Sequence, residues 1–379
     1  MQEKNNKLNK LNNEIYLDNA ATTKVDKIVA DEVYKTMTDF FGNPSSRYSK
    51  GIEAYNIISG AKKSVSKILN CNHENILFTS GGTESNNLAI LGSLNLRVKN
   101  KNIITSTVEH PSVSENIKKL ESLGFEINYV APNKYGEIDP NDILKKINNN
   151  TVLVSVMHVN NETGNIYNIK EISKAIRHKN KNIIFHCDGV QAFGKLEVDL
   201  EDLDVDLYTF SGHKIHAPKG VGGLYFKKNI KLRPLIIGGH QENNLRAGTE
   251  NVPGIAGLKK ACDLLNINKN LEYINNLYKL LVTEISKLNN IHINSIGNIS
   301  PFVFNFSILG QKSEVILNKL QEKNIFISNG SACSKGSKSK ALAGMGILDK
   351  YIDSSIRVSL SKYNTTQDIL EFINNIKLI

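Results

Sequence analysis

Three short runs of this sequence bring together residue types that can do chemistry. The first is Phe78-Thr79-Ser80-Gly81-Gly82-Thr83-Glu84. An apolar run ends, two glycines turn and a helical pattern starts. The start of a helix offers free N–H groups and a positive dipole end to an anion. Gly82 lets the backbone approach closely, and Thr83 adds a hydroxyl donor. A plain capped turn, with Thr83 as N-cap, fits the same residues. The run lacks the GxxxxGK[ST] of a P-loop and the GxGxxG of a dinucleotide fold, which argues against ATP and NAD. The second run is His186-Cys187-Asp188-Gly189-Val190-Gln191. Asp188 ends an apolar strand pattern, where α/β sheets place ligands. A carboxylate there needs a cation or hydrogen bonds; capping the next turn is the plainer reading. The third is Phe210-Ser211-Gly212-His213-Lys214-Ile215-His216. A lysine desolvated at the ligand edge of a sheet can become a Schiff-base amine, whereas most lysines of this chain are surface groups.

As a set, the three runs meet the needs of pyridoxal 5'-phosphate. A helix N-terminus takes the phosphate, Asp188 keeps the ring nitrogen protonated so that the ring is an electron sink, and Lys214 forms the Schiff base.

The elements that must position these groups are legible in outline. From about residue 75 to 226, short apolar runs alternate with helical patterns. The runs are Ile76-Leu77-Phe78, Ile103-Ile104, Ile127-Asn128-Tyr129-Val130, residues 152–159, Ile183-Ile184-Phe185 and Leu207-Tyr208-Thr209-Phe210. Helical spacing is found over 84–98, 112–123 and 169–178. Alternation of this kind predicts an α/β fold with a mostly parallel sheet covered by helices. Gly222-Gly223-Leu224-Tyr225-Phe226 follows its predecessor with no room for a helix and is expected as an antiparallel edge strand. Beyond residue 257 the texture changes. One long helical pattern over 255–288 is followed by strand-like 302–306, a helix over 313–323, strand-like 356–360 and a helix over 366–376. These predict a smaller α+β domain.

Composition narrows the class. The chain has 379 residues, 40% hydrophobic and 22% charged, which excludes collagen, coiled-coil and wholly disordered chains. No apolar stretch is long enough to cross a bilayer. Residues 1–13 are Lys- and Asn-rich without an apolar core, so a secretory signal is not expected. The net charge of +10 is spread along the chain and reads as a solvated surface, with no direct nucleic-acid partner expected. The four cysteines, Cys71, Cys187, Cys262 and Cys333, form no CxxC or CxxH pair. Neither a disulfide framework nor a metal site is expected, and a reducing cytoplasm fits. Cys187 and Cys262 read as buried. Cys333 stands apart, in the small, polar run Ser328-Asn329-Gly330-Ser331-Ala332-Cys333-Ser334-Lys335-Gly336-Ser337. There a thiolate is favoured and access is open.

The chain resembles the cysteine desulfurases, pyridoxal-phosphate enzymes of the class V aminotransferase, fold type I group. The resemblance rests on Tyr16-Leu17-Asp18-Asn19-Ala20-Ala21-Thr22-Thr23, Phe41-Gly42-Asn43-Pro44-Ser45-Ser46, the 79–87 turn, Glu109-His110 and Met157-His158-Val159-Asn160-Asn161-Glu162-Thr163-Gly164. It continues through Ser211-Gly212-His213-Lys214, Arg246-Ala247-Gly248-Thr249, Gly330-Ser331-Ala332-Cys333 and Ser355-Ile356-Arg357, in order along nearly the whole chain. It implies a large cofactor domain over 22–260, and a small domain from 1–21 and 261–379 carrying a mobile cysteine loop at 328–342. Lys214 is the implied Schiff-base lysine and Asp188 the partner of the pyridine nitrogen. His110 stacks on the ring and shuttles protons. Asn161 and Gln191 meet the phenolic oxygen or the substrate. Gly82, Thr83, Ser211 and His213 cradle the phosphate, which Thr249 reaches from the other subunit of a homodimer. Arg357 grips the substrate carboxylate or is a structural ion-pair partner.

The implied reaction converts L-cysteine to L-alanine. Lys214 removes the α-proton, and the Cys333 thiolate takes the sulfur as a persulfide for delivery to an iron–sulfur scaffold or a tRNA-thiolation sulfurtransferase. The run after Cys333 is shorter than in scaffold-feeding relatives, and the chain stops at Ile379 straight after its last helix; both bear on which acceptor is served. Selenocysteine lyase, cysteine-sulfinate lyase and fold type I aminotransferase are the alternatives on this scaffold. The last has no need of Cys333.

Overall fold

Apolar runs flanked by glycine and polar turns pair into a sheet whose central strands are buried on both faces, as helices on either side require. The structure, a computed structural model, describes residues 14–98, 100–329 and 339–379. In chain order it begins with β1 (Ile15–Tyr16), α1 (Lys27–Asp39), α2 (Ser49–Leu69), β2 (Ile76–Thr79), α3 (Gly82–Ser93) and β3 (Asn102–Ser106). It continues with α4 (Pro111–Ser122), β4 (Glu126–Val130), α5 (Pro140–Lys146), β5 (Thr151–Ser155), α6 (Ile169–Lys179), β6 (Ile184–Asp188), β7 (Leu207–Ser211) and β8 (Gly222–Phe226). The large sheet has the order β2-β8-β7-β6-β5-β3-β4. From β4 through β7 neighbouring strands are parallel, while β8 runs antiparallel to both its neighbours. The antiparallel direction expected for β8 is observed; its edge position is not. β2 is buried along its whole length and pairs outside β8, which therefore lies inside the sheet.

The remaining chain forms α7 (Val252–Asp263), α8 (Ile267–Ile285), β9 (Ile291–Ile293), β10 (Val303–Ile308), α9 (Ser313–Gln321), β11 (Ile325–Phe326), α10 (Lys340–Gly344), β12 (Ser355–Ser359) and α11 (Thr366–Ile376). The single helix expected over 255–288 is two. Asn266 interrupts it, its side chain accepting the Lys269 N–H at 3.1 Å as an N-cap. A cap residue competes with an uninterrupted apolar period and wins here. The helix expected over 84–98 likewise stops at Ser93, where the Asn95 side chain accepts the Arg97 N–H in a turn.

β12, β10 and β9 make a second, antiparallel sheet, and β1 pairs with β11. A separate hydrophobic cluster joins Ile15 and Leu17 to Phe304, Phe306, Val358 and Phe372. The main cluster takes in Cys187 and Cys262, both buried as their surroundings suggest. Among the described residues no helix is long and apolar enough to cross a membrane.

Candidate active site

β6 and β7 end side by side at Asp188 and Ser211, and Lys214 follows in a short helical turn. The β2–α3 turn and the β3–α4 turn bring Gly82, Thr83 and His110 to the same edge. Together these enclose a cavity of roughly 310 Å³, also lined by Asn161, Gln191, His213 and Arg357. All the cavity groups read from the sequence converge there except Thr249 and Cys333. Thr249 is exposed and does not line this cavity. Cys333, with most of the 328–342 run, lies outside the described residues.

Asp188 is buried, with its oxygens held from two sides. Oδ1 accepts the Val190 N–H at 3.0 Å and Oδ2 accepts from Asn86 Nδ2 at 2.8 Å. Asn86 also donates to Ser112 Oγ at 2.8 Å, and Ser112 Oγ lies 2.8 Å from His110 Nδ1. The Ser112 N–H donates to the same Nδ1 at 3.1 Å, so the neutral ring carries its proton on Nε2. Burial holds His110 below the ordinary imidazole range; Asp188 opposes this and Lys214 adds to it. A chain of hydrogen bonds thus ties the ring that lines one cavity wall to the acid at its floor.

Lys214 Nζ donates to the carbonyls of Ala20 at 2.6 Å and Ala21 at 2.8 Å. The Asn19-Ala20-Ala21 segment is threaded into the site by Asn19, whose amide donates to Ser359 O at 2.8 Å and to Asn364 Oδ1 at 3.2 Å. Gln191 Nε2 shares the Ala20 carbonyl at 2.9 Å. His213 Nδ1 faces Thr22 Oγ1 at 3.1 Å, and burial, then the neighbouring Lys214, push its ring down to about 3. His213 is therefore neutral at physiological pH.

Arg357 is almost wholly buried, and of its two expected roles the ion-pair one is observed. Nη2 donates to Asp18 Oδ1 at 2.7 Å and Nη1 to the Asn161 carbonyl at 2.8 Å, so it is an ion-pair partner. It also lines the cavity, with its Nε–H buried and unpartnered. Beside it Glu162 accepts a hydrogen bond from Ser339 Oγ, and burial pushes its carboxyl up, with Ser339 and Arg357 opposing.

These residues fit pyridoxal phosphate. Ser211 Oγ is buried with no partner, directly beside the start of α3. A Cβ on Gly82 would stand 2.8 Å from Val190 Cγ2, so only glycine lets this helix start close against the β6 turn. An anion at that point would meet free N–H groups and the spare Ser211 hydroxyl. At the far side Asp188 offers a carboxylate to a ring nitrogen. Among the described residues no group of three or more His, Cys, Asp or Glu is placed to hold a metal ion.

Several participants were not read from the sequence: Asn86, Ser112, the Ala20 and Ala21 carbonyls, and Glu162. Asn86 had a signal, since it lies one helical turn beyond Gly82 on the same face. Ser112 follows His110-Pro111 as the second residue of α4. The carbonyls had none, because main-chain acceptors do not depend on residue type.

Residues 15–372 match the family described as aminotransferase class-V. A cysteine desulfurase of Nostoc sp. is 41% identical over 363 residues, covering 94% of this chain and 90% of the relative. The cysteine desulfurase IscS of Dictyoglomus turgidum is 43% identical over 367 residues, covering 94% and 92%. Among solved structures, a NifS-like protein superimposes with a TM-score of 0.91 at 34% identity, over 96% of this chain and 98% of the other. A structure described as SspA in complex with cysteine has a TM-score of 0.83 at 32% identity, over 93% of this chain and 100% of the other. With its helix-start anion site, buried Asp188 and edge lysine on a fold shared with these proteins, the chain belongs to the class V aminotransferase family, among the pyridoxal-phosphate-dependent cysteine desulfurases of fold type I.

Proposed function

We propose that this chain converts L-cysteine to L-alanine and carries the released sulfur as a persulfide on Cys333. The observation that carries the reading is the placement of Lys214 Nζ against the Ala20 and Ala21 carbonyls, in the cavity that also holds Asp188 and His110. Bound in that cavity, pyridoxal phosphate supplies an electron sink for the substrate α-carbon. Gly82, Thr83, Ser211 and His213 hold the phosphate. Asp188, kept in place by the Val190 N–H and Asn86, holds the ring nitrogen. His110 lies against the ring, and Asn161 and Gln191 face the phenolic oxygen. Arg357, anchored by Asp18, uses its remaining donors on the substrate carboxylate.

Lys214 takes the α-proton and returns one. The Cys333 thiolate forms the S–S bond as the substrate C–S bond breaks. The bond pair stays with Cβ, which is then protonated to alanine. The described thiols are poor competitors. Burial pushes the Cys71 thiol up to about 12, and raises Cys187 and Cys262 as well. The acceptor is an iron–sulfur scaffold or a tRNA-thiolation sulfurtransferase, and the setting a reducing cytoplasm, which keeps the resting Cys333 thiol reduced.

The active unit is a homodimer, with Thr249 reaching the partner's phosphate. Supporting this, Tyr34 and Met37 of α1, Phe41, and Tyr48 and Tyr55 at α2 are exposed, as is Ile237 at 87%. Apolar side chains in such number call for a covering surface. The division into a domain over 22–260 and one from 1–21 and 261–379 is supported by the separate cluster around Phe304 and Phe372.

The test is a single-turnover reaction with L-cysteine and mass analysis of the protein. Alanine together with a mass gain of one sulfur on Cys333 supports the reading, as does transfer of that sulfur to either acceptor. Alanine with Cys333 unlabelled removes the proposed nucleophile. Faster turnover of selenocysteine or cysteine sulfinate would reassign the substrate.

A further inference from the structure

Lys195 is a buried amine to which the proposed function gives no task. It lies four residues after Gln191, only 6% exposed, and among the described residues it makes no ion pair. Its Nζ donates to Gln191 Oε1 at 2.9 Å and stands 5.7 Å from the centre of the Phe302 ring. It also borders a cavity of roughly 30 Å³ shared with Lys214, Thr23 and Ser361, room for one water. Burial, and then Lys214 and Arg357, pull its amine down to about 7. Burying an ammonium group without a carboxylate is costly, so stability alone does not account for it.

Its contact with Gln191 supplies a reason. Gln191 is buried, with Oε1 facing Lys195 and Nε2 facing the Ala20 carbonyl, which also accepts from Lys214. Three hydrogen bonds therefore run from one lysine to the other. The two ends of a primary amide are nearly isosteric, and the Ala20 carbonyl, shared with Lys214, favours Nε2 from one side only; a second constraint at the other end is what fixes the amide. In its protonated form, held below about pH 7, the Lys195 amine has donors only and tolerates only Oε1 opposite it.

We propose that Lys195 is a positioning residue that locks the Gln191 amide with Nε2 toward the cavity, so that the group presented to the phenolic oxygen of the cofactor is a donor. The inference rests on the proposed seating of the cofactor against Gln191.

The experiment uses Lys195→Met, Gln191→Ala, the double variant and Gln191→Glu. It reads the absorbance band of bound pyridoxal phosphate, the concentration that half-saturates the apoprotein, and the apoprotein melting temperature. Lys195→Met displaces the band and weakens cofactor binding about tenfold, as loss of one oriented hydrogen bond implies. Its melting temperature holds or rises, because a buried cation has gone. Gln191→Ala displaces the band by itself, and adding Lys195→Met to it changes nothing more. Gln191→Glu keeps the Lys195 contact, presents an oxygen to the cavity and displaces the band even with Lys195 intact. An unchanged band and affinity in Lys195→Met overturn the proposal. So does an equal Lys195→Met effect in the Gln191→Ala background, which would make Lys195 act on its own. A Gln191→Ala variant with an unaltered band overturns the seating itself, a different failure.

Discussion

The two ends of the large sheet are built from similar residues and use them in opposite ways. At the end away from the cavity, Arg177 donates to Asp206 at 2.7 Å, to the Asp204 carboxylate at 3.2 Å and to the carbonyls of Ile183 and Asp204 at 2.8 and 2.9 Å. Lys227 joins Asp204, and Asp206 also accepts the Phe185 N–H at 2.8 Å. Burial raises the Asp204 carboxyl, but Lys227 and Arg177 together outweigh it and hold the group below the usual range. At the cavity end, Ser211 Oγ, Asn86 Oδ1 and the Arg357 Nε–H are buried with nothing to bond. Polar groups buried without partners cost stability. The paired end holds the strands together; at the cavity end Ser211 and Arg357 line the cavity with bonding capacity to spare.

The sharpest break of this comparison is at Lys214. Lys214→Ala should lower desulfurase turnover by about 10³-fold or more, as removal of a covalent catalytic amine does. The melting temperature should stay near that of the parent. Steady-state alanine formation and a thermal melt check both halves.

Arg177→Met should do the reverse. Removing the mostly buried partner of Asp206 costs about 3–5 kcal/mol, read by denaturant unfolding, while turnover per folded molecule is retained. Lost turnover without lost stability would mean that the two ends are not separate in role.

The fold around this contrast was readable in the sequence wherever one strong local signal acted alone. The strands leading to Asp188 and Ser211 and the final helix Thr366–Ile376 were visible as apolar periods. Reading failed where two signals competed or pairing was non-local. Asn266 cut one apolar period into two helices, and β8 gained β2 as an outer neighbour from far earlier in the chain. At the site, Lys214 and Asp188 were visible as residue types at strand ends, and His110 through the family resemblance. Asn86 and Ser112 were not, because their role is to link Asp188 to His110 across separate elements. Lys195 looked like any other lysine, since only the folded chain shows that it is buried.

Ser211→Ala is a milder test. It deletes an unpartnered buried hydroxyl, so stability should hold or rise slightly, while pyridoxal phosphate binds the apoprotein about tenfold more weakly for want of one phosphate contact. Titration of the apoprotein with cofactor measures it. Unchanged affinity with lowered stability would place Ser211 with the structural groups.

A pH-dependent test concerns Glu109, buried behind His110 with Oε1 accepting from Ser106 Oγ at 2.6 Å and the Met157 N–H at 2.9 Å, and Oε2 unpartnered. Burial pushes its carboxyl up to about 8 from 4.5, Ser106 and Met157 pulling the other way and Asp188 adding to the rise. The folded chain keeps this proton while the unfolded chain loses it, so its contribution is full below pH 4.5 and is lost as pH rises to 8. Glu109→Gln cannot ionise. Its stability relative to the parent should increase across that window and level off above it, as denaturant unfolding at a series of pH values would show. A flat difference would mean that Glu109 is ionised in the folded protein.

The central claim is that the spare capacity at the cavity end belongs to pyridoxal phosphate, bound through Lys214. Borohydride reduction of the cofactor-loaded protein, followed by peptide mass mapping, tests it directly. The account predicts one stable pyridoxyl adduct on the peptide containing Lys214. An adduct on Lys195 or another lysine instead, or no adduct after saturation with the cofactor, would contradict it.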